Sequence, residues 1–135
     1  MPHYRTHAFL LIVAVGCAGL LSGCSNSDQQ SQVKGAVSLD GQPLAHATVT
    51  LINDELGVGG SATVENGQFQ FAAELPPGSY LIEIGPPPAR APHEAPLKTP
   101  AVKLPKYVQN AKTSGLTAEL KPGENSLELD FAAKK

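Results

Sequence analysis

The apolar residues of this chain come in short alternating runs that are interrupted by glycine, proline and asparagine. From residue 32 onward no stretch shows the period of an amphipathic helix, whereas short runs rich in Val, Ile, Leu, Phe and Thr recur between turn residues. The pairs Asp40-Gly41 and Asn66-Gly67 are typical of two-residue hairpin turns. This pattern predicts an all-β domain.

The runs predict seven strands, which together favour a Greek-key β-sandwich over residues 32–135. The predicted strands cover residues 32–39, 47–53, 61–65, 68–72, 80–85, 116–120 and 126–132. Phe69 and Phe71 are expected to share one face. Pro43 is expected to stop strand pairing because it lacks an N–H donor. Residues 54–60 contain three glycines and are expected to form a loop.

The N-terminal segment has the features of a secretory signal. Residues 8–21 are uncharged and largely apolar, and Arg5 precedes them. As a helix they would extend about 21 Å, which is shorter than the hydrocarbon core of about 30 Å. We therefore expect residues 1–23 to be a signal helix that is not part of the fold. The remaining 112 residues suffice for one domain.

The end of this segment, Leu21-Ser22-Gly23-Cys24, resembles the bacterial lipobox. The resemblance implies a diacylglyceryl thioether on the Cys24 sulfur and cleavage before Cys24. Two acyl chains are enough for stable attachment to a membrane. Cys17 is a weaker rival because the apolar run continues beyond it. Secretion without a lipid and a single-pass membrane anchor are also compatible with an apolar segment of this kind.

Lipidation at Cys24 predicts a lipid-anchored protein of the bacterial cell envelope. Ser25, rather than aspartate, follows the cysteine. By analogy with bacterial sorting rules, this favours the periplasmic side of the outer membrane over the inner membrane. Residues 24–31 are expected to be a polar tether with a root-mean-square span of about 15 Å.

Composition excludes several classes of protein. After residue 23 the chain has nine basic and twelve acidic residues, a net charge of −3, which argues against a nucleic-acid binder. Cys17 and Cys24 are the only cysteines, so neither a disulfide nor a cysteine metal site is expected in the domain. No cofactor is expected either.

Residues 86–113 contain seven prolines and are predicted to be irregular and extended. This segment contains five basic residues and one acidic residue, Glu94. Proline lowers the entropy cost of ordering such a loop on binding. The alternative is a solvated loop along one edge of the domain. The candidate contacts to an acidic partner, anionic glycan or lipid headgroup are Arg90, Lys98, Lys103, Lys106, Tyr107 and Lys112.

Several further kinds of site lack the residues that their chemistry needs. A metal site would rest on His46 and His93 alone, and a calcium site on Asp54 and Glu55 alone. Ser114 has neither a nucleophile motif nor a paired base. The sequence thus predicts no metal site and no enzyme.

Residues 33–49, 60–71 and 77–82 resemble carboxypeptidase regulatory-like domains, which are transthyretin-like β-sandwiches. Residues 104–107 and 113–120 are similar to the C-terminal half of small bacterial lipoproteins of this type. One departure is His46, where the family usually has glycine. The resemblance implies a fold without catalytic residues.

The sequence as a whole predicts a membrane-anchored, non-enzymatic lipoprotein that serves as a structural or protein-interaction module of the envelope. The alternative is a small-ligand or glycan-binding module that uses the loop at 86–113.

Overall fold

The computed structural model describes residues 30–133, so the predicted signal segment, Cys24 and residues 25–29 of the predicted tether lie outside the described residues. Strands make up 50% of the structure and helix 4%, which confirms an all-β chain. The elements are β1 (Ser31–Leu39), β2 (Gln42–Pro43), β3 (His46–Asn53), β4 (Val58–Glu65), β5 (Gln68–Gln70), β6 (Gly78–Gly85), α1 (Ala111–Ser114), β7 (Thr117–Leu120) and β8 (Gly123–Phe131).

Over the described residues, the eight strands form one curled sheet in the order β2-β1-β5-β4-β3-β6-β7, and β8 also pairs with β1. Every pair is antiparallel except β1 and β8, which run parallel from Ser31 and Gly123 to Leu39 and Phe131. We refer to the end of the sheet at Ser31 and Gly123 as the proximal end. The end at Leu39 and Phe131 is the distal end.

The chain is firmly attached where it joins the sheet at the proximal end. Ser31 is fully buried, its N–H donates to the Leu75 carbonyl at 2.7 Å, and its hydroxyl donates to the Lys121 carbonyl at 2.7 Å. The Gly123 N–H donates to the Gln30 carbonyl at 3.0 Å. Ser31, which the sequence placed in the tether, is therefore the first residue of the sheet.

Both predicted hairpin turns are confirmed. Asp40 and Gly41 have φ angles of 49° and 76°, and Asn66 and Gly67 have φ angles of 51° and 79°. Two successive positive φ angles define the type I′ turn, whose twist matches that of paired strands. The Gly67 carbonyl accepts from the Val37 N–H at 2.7 Å, so the second turn is joined to β1.

The prediction that Pro43 stops pairing was wrong. Leu39 pairs with Gln42 and Ser38 with Pro43, which adds the short strand β2. Pro43 has no N–H to donate, so the pairing relies on neighbours, and the Leu44 N–H donates to the Val37 carbonyl at 3.0 Å.

The predicted loop at 54–60 is shorter than expected, because β4 already begins at Val58. Gly59 pairs with Ile52 and Gly60 with Leu51. The side chains of Phe71 and Leu75 lie over Gly60, and a Cβ there would meet them at 3.3 Å. Gly60 thus leaves room for core side chains, whereas a Cβ on Gly59 would stand 2.6 Å from the Leu51 carbonyl oxygen.

The core lies inside the curl of the sheet. Phe69 and Phe71 are both buried on its inner side, as expected, and their rings meet edge to face with centroids 6.0 Å apart. The strands also bury alternating aliphatic residues, as the sequence pattern predicts: Val33, Val37, Val49, Leu51, Val64, Ile82, Ile84 and Leu129.

The two type I′ turns give a matched pair of substitutions. Gly41→Ala introduces a Cβ at positive φ with nothing within 4 Å, so we expect a loss of about 1 kcal/mol in the free energy of unfolding. Gly67→Ala adds a Cβ 2.7 Å from the Cβ of Pro43. We therefore expect the loss in the free energy of unfolding to exceed that of Gly41→Ala by roughly 1–3 kcal/mol. Denaturant unfolding measures both. Equal losses would contradict a steric role for the second turn.

Candidate functional site: the basic proline-rich segment

The segment after β6 leaves the sheet at its distal end. Gly85 pairs with Thr48 near the start of β3, and the Thr48 hydroxyl donates to the Pro86 carbonyl at 2.8 Å. The following residues lie beside the outer face of β3 and β4, where they enclose a shallow cavity of about 290 Å³. Its lining includes His46, Glu65, Pro87, Pro88, Arg90 and Leu97.

Glu94 organises this part of the segment. Its carboxylate accepts from the Ala91 N–H at 2.7 Å, and its own N–H donates to the Ala91 carbonyl at 2.9 Å. Arg90 Nε lies 3.9 Å from Glu94 Oε2. Exposed pairs of this kind contribute at most about 1 kcal/mol. Arg90 therefore has a carboxylate beside it already, which lowers its value as a contact for an external anion.

The second part of the segment belongs to the core, which the sequence did not reveal. Leu104, Val108 and Ala111 are buried. The Val108 carbonyl accepts from the Ile84 N–H at 2.8 Å, so this part covers the edge of β6 beyond the stretch that pairs with β7. The expectation of an irregular, extended chain therefore fits residues 86–103 and fails for residues 104–113.

A local signal marks this change. The Asn110 side chain accepts from the Lys112 N–H at 2.9 Å and so caps α1, which Gly115 ends with a φ of 71°. Asparagine before a helix and glycine after it are typical boundary residues. The buried Ser114 hydroxyl donates to the Ile82 carbonyl at 2.5 Å. Ser114 thus holds the helix to β6.

The structure does not gather all of the candidate contacts into one patch. Arg90 lies beside His46 at the start of β3. The Lys112 Nζ lies 4.0 Å from a carboxylate oxygen of Asp54, which follows the last residue of β3. The eight residues of β3 span about 23 Å at about 3.3 Å per residue. Arg90 and Lys112 therefore belong to opposite ends of the sheet.

Tyr107 lies at the distal end and is half-buried against the core. Its hydroxyl donates to the Ala132 carbonyl at 2.8 Å, just beyond β8. This contact joins the segment to the chain after β8, on the side of the sheet away from β6. The ring is thereby fixed, and only part of it is open for stacking.

The remaining candidate lysines lie close together in the sequence, within residues 98–106. Lys98, Lys103 and Lys106 are exposed, and no acidic side chain among residues 30–133 forms an ion pair with them. Val102 lies between Lys98 and Lys103 in the sequence, and 44% of its surface is exposed. We call residues 98–106 the basic stretch.

The candidate metal ligands are not brought together in the part of the chain that the structure describes. Across residues 30–133 no group of three or more His, Cys, Asp and Glu side chains could hold a metal ion. His93 does not line the cavity beside His46. No helix within those residues is long and apolar enough to cross a membrane.

No protein-family model, curated protein or solved structure matches this chain. The resemblance to carboxypeptidase regulatory-like domains therefore stays a prediction. What the structure adds to it is the course of residues 86–116, with an exposed basic stretch between two attached ends.

The burial of Val108 can be tested against Val102 in the same segment. Val108→Ala removes a fully buried side chain, so we expect a loss of about 2 kcal/mol in the free energy of unfolding. Val102→Ala changes an exposed residue and should alter it by less than about 0.5 kcal/mol. Chemical denaturation gives both values. Equal effects would show that residues 104–111 do not belong to the core.

Proposed function

We propose that this chain is a non-enzymatic lipoprotein of the bacterial envelope, anchored through Cys24, that binds an acidic partner protein through its basic stretch. In this proposal the curled sheet is a transthyretin-like sandwich that serves as a rigid spacer. The observation that supports it is the placement of the basic stretch. The chain enters the sheet at Ser31, at the proximal end, whereas the segment that carries the stretch departs after Gly85, at the distal end.

The dimensions of the molecule favour a partner beyond the membrane surface. A tether of seven residues spans about 15 Å. The nine residues of β1 add about 26 Å between the proximal and distal ends. In this proposal the basic stretch lies near the distal end, about 26 Å from the point where the tether joins the sheet, and is directed away from the leaflet that holds the lipid. A headgroup of that leaflet is a poorer fit than the acidic surface of another envelope protein.

Side-chain chemistry favours an acidic protein partner over a neutral glycan. Sugar rings stack on open aromatic faces, and the segment offers Tyr107, whose ring is half-buried and whose hydroxyl is bound to Ala132. Lys98, Lys103 and Lys106 instead provide three exposed ammonium groups, which suit carboxylates. The glycan-binding alternative becomes an outcome of the crosslinking experiment below.

The lipid anchor is tested by two cysteine substitutions. Cys24→Ser removes the sulfur that would carry the lipid, so the protein should stay unprocessed or fail to partition into a detergent phase. Cys17→Ser is the matched control and should be processed and partition normally. The measurement is detergent-phase separation with mass spectrometry of the N-terminal peptide. A Cys24→Ser protein that is cleaved and still partitions like the unaltered chain would refute the anchor.

The basic stretch is tested by site-specific photo-crosslinking in envelope fractions. A crosslinker at position 102 reports on the basic stretch. A second crosslinker at position 56 reports on the proximal end, because Leu56 is 53% exposed in the loop between β3 and β4. We expect a protein adduct from position 102 that disappears at high salt, because exposed charge pairs are screened. The same adduct should not form from position 56.

Charge variants complete this experiment. Lys98→Gln, Lys103→Gln and Lys106→Gln together should abolish the adduct from position 102. The control changes the same charge elsewhere, with Lys34→Gln, Lys112→Gln and Lys121→Gln, and should leave it intact. An adduct that persists after the first triple substitution, or one that proves to be glycan, would overturn the protein-binding proposal.

A further inference from the structure

The outer edge of β8 is the longest unpartnered strand edge in the described structure. β8 has nine residues and pairs with β1 along its whole length, while no described strand pairs with its other edge. Such an edge presents a row of backbone donors and acceptors to which an extended chain can add.

The first two thirds of β8 are open. Every residue of 123–128 is exposed or half-buried. Leu127 faces the core but is only half-buried, whereas Leu129 farther along the strand is buried. An added strand beside β8 would therefore bury more of Leu127. Tyr107 reaches Ala132, which lies past the distal end of this open part.

Three of the four outward positions at 124, 126, 128 and 130 of β8 are acidic, and the fourth is Ser126. Glu124, Glu128 and Asp130 are exposed on one face. Lys34 of β1 lies 3.6 Å from Glu124 and is the basic residue that faces this row from the neighbouring strand. The Ser38 hydroxyl and the Gly41 N–H donate to Asp130 and hold the pKa of its carboxyl below the usual value. These two donors thus favour the ionised form of Asp130.

These charges argue against a second copy of the chain as the occupant. If two β8 strands paired antiparallel about Leu127, Glu124 of one copy would face Asp130 of the other. If they paired parallel and in register, each acid would face its own equivalent. Like charges directly opposite one another destabilise a pair of strands. A strand that carries lysine or arginine at alternating positions avoids this cost and gains attraction at each acid.

We propose that the open edge of β8 binds an extended basic peptide of a partner protein, which adds to the sheet as a further strand. Backbone hydrogen bonds would supply the pairing, and Glu124 and Glu128 would select cationic side chains. This surface is distinct from the basic stretch and does not depend on the lipid at Cys24. Peptide binding at β8 can therefore be disproved while the proposed function holds, and the proposed function can be disproved while peptide binding at β8 holds.

The test uses the full chain, purified in detergent, with the synthetic peptide Thr-Lys-Val-Lys-Thr-Lys-Val-Lys-Thr as the probe. We expect saturable binding by fluorescence anisotropy and slower amide hydrogen exchange over residues 123–128. A peptide with glutamate in place of every lysine should not bind. Absence of binding by the lysine peptide would overturn the proposal. The acidic residues would then serve to prevent edge-to-edge aggregation of the sheet.

Charge reversal identifies the surface. Glu124→Lys with Glu128→Lys should weaken binding of the lysine peptide at least tenfold and allow the glutamate peptide to bind. Both residues are exposed, so the fold should persist, which unfolding curves verify. The control, Glu55→Lys with Glu65→Lys, changes two exposed acids outside β8 by the same charge. An equal loss of binding in the control would refute the assignment to β8.

Backbone methylation separates strand addition from attraction between charges. In an extended peptide, alternate N–H groups face the sheet. Two lysine peptides N-methylated at odd or at even positions carry the same charge, yet only one keeps the N–H groups that pair with β8. We expect one isomer to bind with the affinity of the unmodified peptide and the other to bind with an affinity at least tenfold lower. Equal affinity of the two isomers would exclude strand addition.

Discussion

The fold depends on the use of both edges of β1. One edge pairs in parallel with all nine residues of β8, and the other pairs in succession with Leu75, β5 and β2. This is possible because Gly35 lies at the centre of β1 without a side chain. A Cβ there would stand 2.1 Å from the Leu127 carbonyl oxygen and 2.7 Å from the Phe69 ring. The curl of the sheet requires that close approach.

The curl in turn determines what residues 104–116 must do. A sheet that closes on itself incompletely leaves its interior open along one side. Val108 and the short helix α1 cover the edge of β6 there, and Tyr107 reaches across to the chain beyond β8. Most of the basic stretch is thus part of a loop that begins where the Thr48 hydroxyl binds the Pro86 carbonyl and ends where Leu104 is buried. The charged residues of this loop form no regular structure, but the loop is attached to the sheet.

Much of the fold could be predicted because the relevant signals are local. Alternation along β3 and β6, and the two turns with asparagine or aspartate before glycine, depend on neighbouring residues. The parallel pairing of β1 with β8 could not be predicted in this way, since it joins residues such as Ser38 and Asp130 that are 92 positions apart. The prediction of the candidate site was incomplete in part for the same reason. Arg90 and Lys112 look like one charged segment in sequence, but the path of the chain places them beside Glu94 and Asp54, near different ends of the sheet.

The parallel arrangement of β1 and β8 also has a mechanical consequence. Because the two strands run in the same direction, residue 30 lies at the proximal end and residue 133 follows the distal end. Tension between these two points would pull β1 and β8 lengthwise past one another. All of their hydrogen bonds would then be loaded at once, in shear, instead of opening one by one as in a hairpin pulled apart from its ends. The domain is built to resist stretching along the axis that joins its two ends.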